Sequence, residues 1–177
     1  MRLFAHFARL APALLTAGFL TGCSTPSAPP APLASATPQT HSLTASGKRE
    51  IAALFERWNA SLATLDPEKV VANYTPDAVL LPTLSNQPRT NHAGLRDYFV
   101  AFLAKKPQGK IDSRTIRLEG STAWDVGIYT FTMRGGDGKP VKVQARYTFV
   151  YERQPAGGWL IAHQHSSLMP EPVIPRG

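Results

Sequence analysis

Residues 141–168, VKVQARYTFVYER-QPAGG-WLIAHQHSSL, hold the reading that decides the fold. Val, Tyr, Thr, Phe and Trp crowd both arms, and Pro155, Gly157 and Gly158 punctuate the middle, which predicts two long strands and a tight turn. Alternation puts Ala145, Tyr147, Phe149 and Tyr151 on one face and Gln144, Arg146 and Thr148 on the other. In the second arm it sets Leu160, Ala162, Gln164 and Ser166 against Trp159, Ile161, His163 and His165. Both faces are partly polar. Such a sheet lines a cavity, meets another subunit, or does both.

Working upstream, two further strands are predicted at Lys110–Leu118 and Thr122–Met133, broken by Glu119-Gly120 and by Gly135-Gly136-Asp137-Gly138. Before them lie helices. Ile51, Leu54, Phe55, Trp58 and Leu62 recur at helical spacing. Asp66 caps a shorter second helix with Pro67 at its first position and Val70, Val71 and Tyr74 on its apolar side. Thr75-Pro76-Asp77 then predicts a turn into a short strand, Ala78–Leu81, ended by Pro82. Asn91 caps a third helix carrying Leu95, Tyr98, Phe99, Phe102 and Leu103, which Pro107 stops. Helices first and an antiparallel meander afterwards predict an α+β domain, with the helices on one face of a bent sheet.

The 177 residues suit one domain, and 43% hydrophobic content supports a core, while 16 prolines predict an unfolded segment. That segment is 24–45, rich in Ser, Thr, Pro and Ala, read as a disordered tether; 46–170 is the folded domain and 171–177 a flexible tail. Residues 1–23 read as a signal peptide: a basic head with Arg2 and Arg9, an apolar run from Leu10 to Leu20, and Leu-Thr-Gly-Cys. About eleven apolar residues are too few to span a bilayer. The ending at Cys23 resembles the bacterial lipobox, whose cysteine is lipidated; ordinary cleavage nearby, with Cys23 incidental, is the alternative. With Ser24 next, the expectation is an exported lipoprotein on the periplasmic face of the outer membrane. Cys23 is the single cysteine, so no internal disulfide forms. Net charge is +7, and the basic residues are scattered without a nucleic-acid-binding motif, so nucleic acid is not an expected partner.

The blocks LFERWNASLATLDPEKVVANYTPDAVLLPTLSNQPRT, LRDYF, KPQGKID, GIYTFTM, VQARYTFVYER and WLIAHQHSS resemble the association-domain family of calcium/calmodulin-dependent protein kinase II. Within it they look like the free-standing bacterial members grouped with SgcJ/EcaC proteins. The resemblance covers about Arg49 to Glu171 and implies the nuclear transport factor 2-like, or cystatin-like, cone. It also implies a dimer or larger ring built sheet to sheet, and a pocket between helices and sheet. No Gly-rich loop, HRD or DFG sequence is present, so no kinase activity and no cofactor follow. In the kinase branch the pocket holds arginines; the matching positions here are Tyr129, Phe149 and Ser166, and a pocket histidine corresponds to Arg96.

The resemblance and the alternation together place Arg96, Tyr129, Tyr147, Phe149, Gln164 and Ser166 in the pocket, and Arg146, His163 and His165 on the outer, dimer-facing side. A β-bulge would invert that assignment. Arg89, before the third helix, is a candidate for the pocket rim. Asp125 and Tyr129, two pleats apart on one face, are the parts of a ketosteroid-isomerase-like base and oxyanion donor, or else a wet-end acid and a core filler. His163 and His165 share a face, but no third metal ligand accompanies them, so no metal is expected. The expected function is self-association with binding of a small apolar or aromatic ligand. The alternative is a SnoaL-like isomerase, dehydratase or cyclase.

Overall fold

The computed structural model describes residues 38–171. Helix α1 runs Pro38–Ala63, α2 Pro67–Val71 and α3 His92–Leu103; strands are β1 Tyr74–Leu81, β2 Gln108–Glu119, β3 Thr122–Arg134, β4 Pro140–Arg153 and β5 Trp159–Leu168. The sheet order is β1-β5-β4-β3-β2, antiparallel throughout except that β1 runs parallel to β5. The fold is α+β, with three helices against one face of a single curved sheet.

Three boundaries differ from the sequence reading. Helix α1 begins at Pro38, inside the segment read as tether. Proline is tolerated in the first turn, and Gln39 to Ala45 contain no helix breaker, so the helix continues back at little cost. Tyr74 belongs to β1 and not to α2. The turn read at Thr75-Pro76-Asp77 is a distortion within β1: Tyr74 pairs with Ile161 and Val79 with His163, so five residues advance against two. Pro76 and Asp77 point to solvent, where the missing N–H of proline costs nothing. The segments read as signal peptide and lipidated Cys23, residues 24–37 of the tether, and residues 172–177 of the tail lie outside the described residues.

The helix faces follow from spacing and caps. Ile51, Phe55, Trp58 and Leu62 are all but inaccessible on α1. Asp66 accepts from the Glu68 N–H at 2.9 Å and Asn91 from the Gly94 N–H at 2.9 Å, so each cap satisfies an orphan helix donor. Side chains from α1 also fasten the sheet. Asn59 bonds both backbone groups of Gly109 at the start of β2, and Arg57 reaches Asn73 at 3.0 Å and the Trp159 carbonyl at 2.9 Å.

Bulges curve the sheet. Asp112 is unpaired in β2, between Ile111 opposite Tyr129 and Ser113 opposite Ile128. Ala162 is unpaired in β5, between Ile161 opposite Tyr151 and His163 opposite Val150. The second bulge corrects the alternation read for this strand. Trp159 and Ile161 share the buried face with Gln164 and Ser166, whereas His163 and His165 face outward. The inner face and the helices enclose a continuous aromatic cluster. Trp58 meets Phe149 edge-on at 5.3 Å between centroids, and Tyr129 stacks on Tyr147 at 5.0 Å.

Candidate functional site

Between α3 and the ends of β1, β3, β4 and β5 lies a cavity of about 320 Å³. Its walls are largely apolar: Trp58, Phe99, Phe102, Phe131 and Met133 among others. Polar groups enter from two directions. Tyr129, Gln164 and Ser166 rise from the sheet, while Thr83, Ser85 and Arg89 come from the loop joining β1 to α3. Asp97, Tyr98 and Lys105 of α3 and its end complete the lining.

Some of these polar groups are already paired. Thr83 shares a hydroxyl hydrogen bond with Ser166, and Tyr74 donates to the Gln164 side-chain oxygen while accepting from Trp58 Nε1 at 2.9 Å. Burial pushes the Tyr129 phenol up to about 12, with hydrogen bonds to Ser166 and Thr83 opposing the shift. The phenol is therefore a neutral donor or acceptor at physiological pH.

A second polar cluster lies beneath α1. Asp125 is fully buried and accepts from the Tyr147 hydroxyl at 2.8 Å. The Arg114 guanidinium stands 3.1 Å from its other oxygen and sits 5.6 Å from the centroid of the Phe55 ring. Burial raises the Asp125 carboxyl above its ordinary value, and the Tyr147 hydrogen bond and Arg114 charge oppose that rise. This carboxylate does not line the cavity.

The family model of the calcium/calmodulin-dependent protein kinase II association domain matches residues 47–170. The chain belongs to this family. A protein from Xanthomonas campestris, given as an association domain of the same kind, is 55% identical over 70% of this chain and 88% of its own, with a TM-score of 0.67. A Novosphingobium aromaticivorans protein, given as an aromatic ring hydroxylase, is 27% identical over 68% of this chain and 88% of its own, with a TM-score of 0.60. A ketosteroid isomerase-like protein from Erwinia carotovora atroseptica matches at 16% identity over 70% of this chain and 96% of its own, with a TM-score of 0.58, a likeness of fold. No curated protein matches.

This association domain distributes the candidate residues unevenly. Tyr129, Gln164 and Ser166 line the cavity. Tyr147 and Phe149 do not: both are buried deeper in the aromatic core, with Phe149 packed between Phe55, Trp58 and Tyr151. Arg96 is outside altogether, in a bidentate pair with Glu68 on the surface. The buried stripe of α3 is Leu95, Phe99 and Leu103, and Arg96 lies one residue, about 100°, round from it. The Arg96 hydrogen bond holds the Glu68 carboxyl below its usual value. The cavity wall instead holds Arg89, with a side chain only 12% exposed, and the exposed Lys105 at the end of α3.

Asp125 and Tyr129 share a face but not a site, since each is engaged by different partners. Arg114 was not legible as a site residue from local spacing alone, although a signal existed. It alternates with Ile116 and Leu118, so a lone charge sits on an apolar face diagonal to the lone acid of β3, which pairs with Ile116. On the outer face, Arg146 and His165 are exposed and His163 is half-buried. Burial lowers the His163 imidazole below its ordinary value, with a backbone hydrogen bond to Val79 opposing this. Among the described residues no three His, Cys, Asp or Glu side chains gather as a metal site, and no helix is long and apolar enough to cross a membrane.

Proposed function

We propose that the chain is a self-associating module whose internal cavity binds a small, largely apolar or aromatic molecule. The observation that carries this reading is the two-sidedness of the sheet. Its inner face lines the cavity, while its outer face presents Trp124, Val126, Ile128 and Val150 half-exposed beside Arg146 and the two histidines. Among the described residues nothing packs over that outer face, as the helices all lie on the other side. A contiguous apolar sheet face of this kind suits a second sheet. Membership of the association-domain family supports the same reading.

The test is oligomeric state. Ile128 and Arg146 are opposite one another at the centre of the outer face. The wild-type chain is expected to run as a dimer or larger species in size-exclusion chromatography with light scattering. An Ile128→Glu/Arg146→Glu variant is expected to dissociate at least tenfold more readily, because uncompensated acids at the centre of an interface repel their counterparts. A wild-type chain that is monomeric at tens of micromolar overturns the proposal.

The rival reading as an isomerase or dehydratase needs a base aimed at the bound molecule. Asp125 is the acid for that role by position on its strand, yet its oxygens face Arg114 and Tyr147 away from the cavity. This arrangement favours binding over proton abstraction.

Export and lipid anchoring through Cys23 are a separate proposal, supported by the pattern of residues 1–23. Metabolic labelling with a fatty-acid probe is expected to tag the wild-type chain, and Cys23→Ser is expected to lose the tag completely and release the chain from membranes. Equal labelling of both would defeat it.

A further inference from the structure

We infer that the open end of the cavity docks on an anionic lipid surface, through exposed apolar side chains set among cations that lack ion-pair partners. The cavity opens where its lining is exposed: at Leu84, in the loop after β1, and along the Asp97, Ala101 and Lys105 stripe of α3. Backbone contacts bring further elements to this opening. Arg89 and Leu80 exchange both backbone hydrogen bonds, at 2.8 and 2.9 Å, which closes a loop with Leu84 near its middle. Thr83 of that loop bonds Ser166 of β5, so Leu168, two residues further along the same face, stands close by. On the other side the Arg134 N–H donates to the Lys105 carbonyl at 2.7 Å, so the end of α3 meets the β3–β4 hairpin. Val141 of that hairpin pairs with Met133 of the cavity wall.

The rim is both apolar and basic. Among the described residues five large apolar side chains are exposed, and Leu84 (62%), Leu168 (48%) and Val141 (39%) are three of them. Around them stand Lys105 and Lys106 after α3, Arg134 and Lys142 at the foot of the hairpin, and Lys139 in its turn, all exposed. The acids at this end are Asp97, Asp137 and Glu171. Asp97 stands 3.8 Å from Arg89, and Asp137 stands 3.8 Å from Lys139. That leaves Lys105, Lys106, Arg134 and Lys142 without an ion pair among the described residues, against Glu171 alone.

The residue types favour lipid over a protein partner. Protein interfaces are enriched in aromatic side chains and depleted in lysine, and this rim has lysines with Leu and Val. A lysine is a flexible point charge, suited to phosphate headgroups that present no fixed fork. Its stem lies along apolar surface while the ammonium stays among the headgroups, and the Leu and Val side chains reach just beneath them. Such docking is weak by itself, and stable residence takes a second attachment, which the lipid proposed at Cys23 supplies. An apolar molecule then passes between bilayer and cavity without crossing water. The docking itself does not depend on the cavity holding a ligand.

The experiment is vesicle co-sedimentation of the purified chain from Ser24 onward, the exported form without its lipid. Vesicles of about one-third phosphatidylglycerol in phosphatidylcholine are expected to bind it at least about tenfold more tightly than phosphatidylcholine alone, and salt at about 0.5 M to remove the difference. Each cation near an anionic surface is worth about fivefold, so Arg134→Gln/Lys142→Gln is expected to weaken binding by on the order of tenfold or more. Lys48→Gln/Arg117→Gln removes the same net charge at the far end of the sheet, where Leu118 packs against Gly47, and is expected to stay within about twofold of wild type. Leu168→Gln is expected to cost at least about threefold through its lost apolar contact. No binding to either vesicle, or equal binding to both, overturns the inference. Equal losses from the two charge pairs also overturn it, since net charge alone would then attract the chain. The vesicle comparison and the salt dependence are read on the wild-type chain, so the test stands even if a variant fails to fold.

Discussion

Gly127→Ala is expected to lower stability by about 3 kcal/mol or more and to depress the melting temperature by on the order of 10 °C. A methyl group at Gly127 would stand 2.0 Å from the Ser113 carbonyl oxygen, 2.8 Å from its carbonyl carbon and 3.1 Å from the Arg114 Cα. These are backbone atoms of β2, so no side-chain rotation relieves the overlap. The cause is local. Asp112 is the unpaired residue of the β2 bulge, and the strand just after it leans across β3 where Gly127 opposes Arg114. Glycine is needed here for close approach, as its φ is not in the left-handed region. Gly136→Ala supplies the control, for nothing lies within 4 Å of its added methyl group. Urea and thermal unfolding of the two variants check this. A Gly127→Ala melting temperature within about 2 °C of wild type would falsify the packing argument.

The same bulges explain how far sequence reasoning reaches in this chain. Apolar spacing on α1 and α3, the Asp66 and Asn91 caps, and the strand runs were all readable, because each depends on neighbours within one or two turns. The parallel pairing of β1 with β5 was not readable. It joins Leu80 to Gln164 through contacts that no local pattern encodes. Nor could alternation alone place Trp159 and Ile161, since one unpaired Ala162 reverses the face of everything before it. The site suffered most from this. Arg96 occupies a plausible helical position until Leu95 is seen to define the buried stripe, and Arg89 gains its position only from the returning loop. Sequence therefore specified the cone and its aromatic lining well. It left the charged groups to be placed by tertiary geometry.

Breaking the Arg114–Asp125 pair one residue at a time is expected to cost far more than removing both. Asp125→Leu leaves a guanidinium whose side chain is 21% exposed without its counter-charge, at about 3 kcal/mol. It also strips the Tyr147 hydroxyl of its acceptor, adding roughly 1 kcal/mol. Arg114→Met strands a carboxylate that is fully buried, and a loss of about 3 kcal/mol or more is expected. The double variant Arg114→Met/Asp125→Leu restores an apolar interior beside Phe55 and is expected within about 1.5 kcal/mol of wild type. The pH dependence has a definite sign. Because burial raises the folded-state value of Asp125 above 3.8, the native chain binds this proton more tightly than the unfolded one. Its contribution therefore falls as pH rises from about 3.8 through the raised value, opposite to an exposed, salt-bridged acid. Asp125→Leu removes that downward step, and Arg114→Met carries it to higher pH, since the opposing charge is gone. Urea midpoints for the four proteins between pH 3.5 and 7 check both parts. If the two single losses summed to that of the double variant, the residues would be independent, and the cluster under α1 would be ordinary packing with no shared charge.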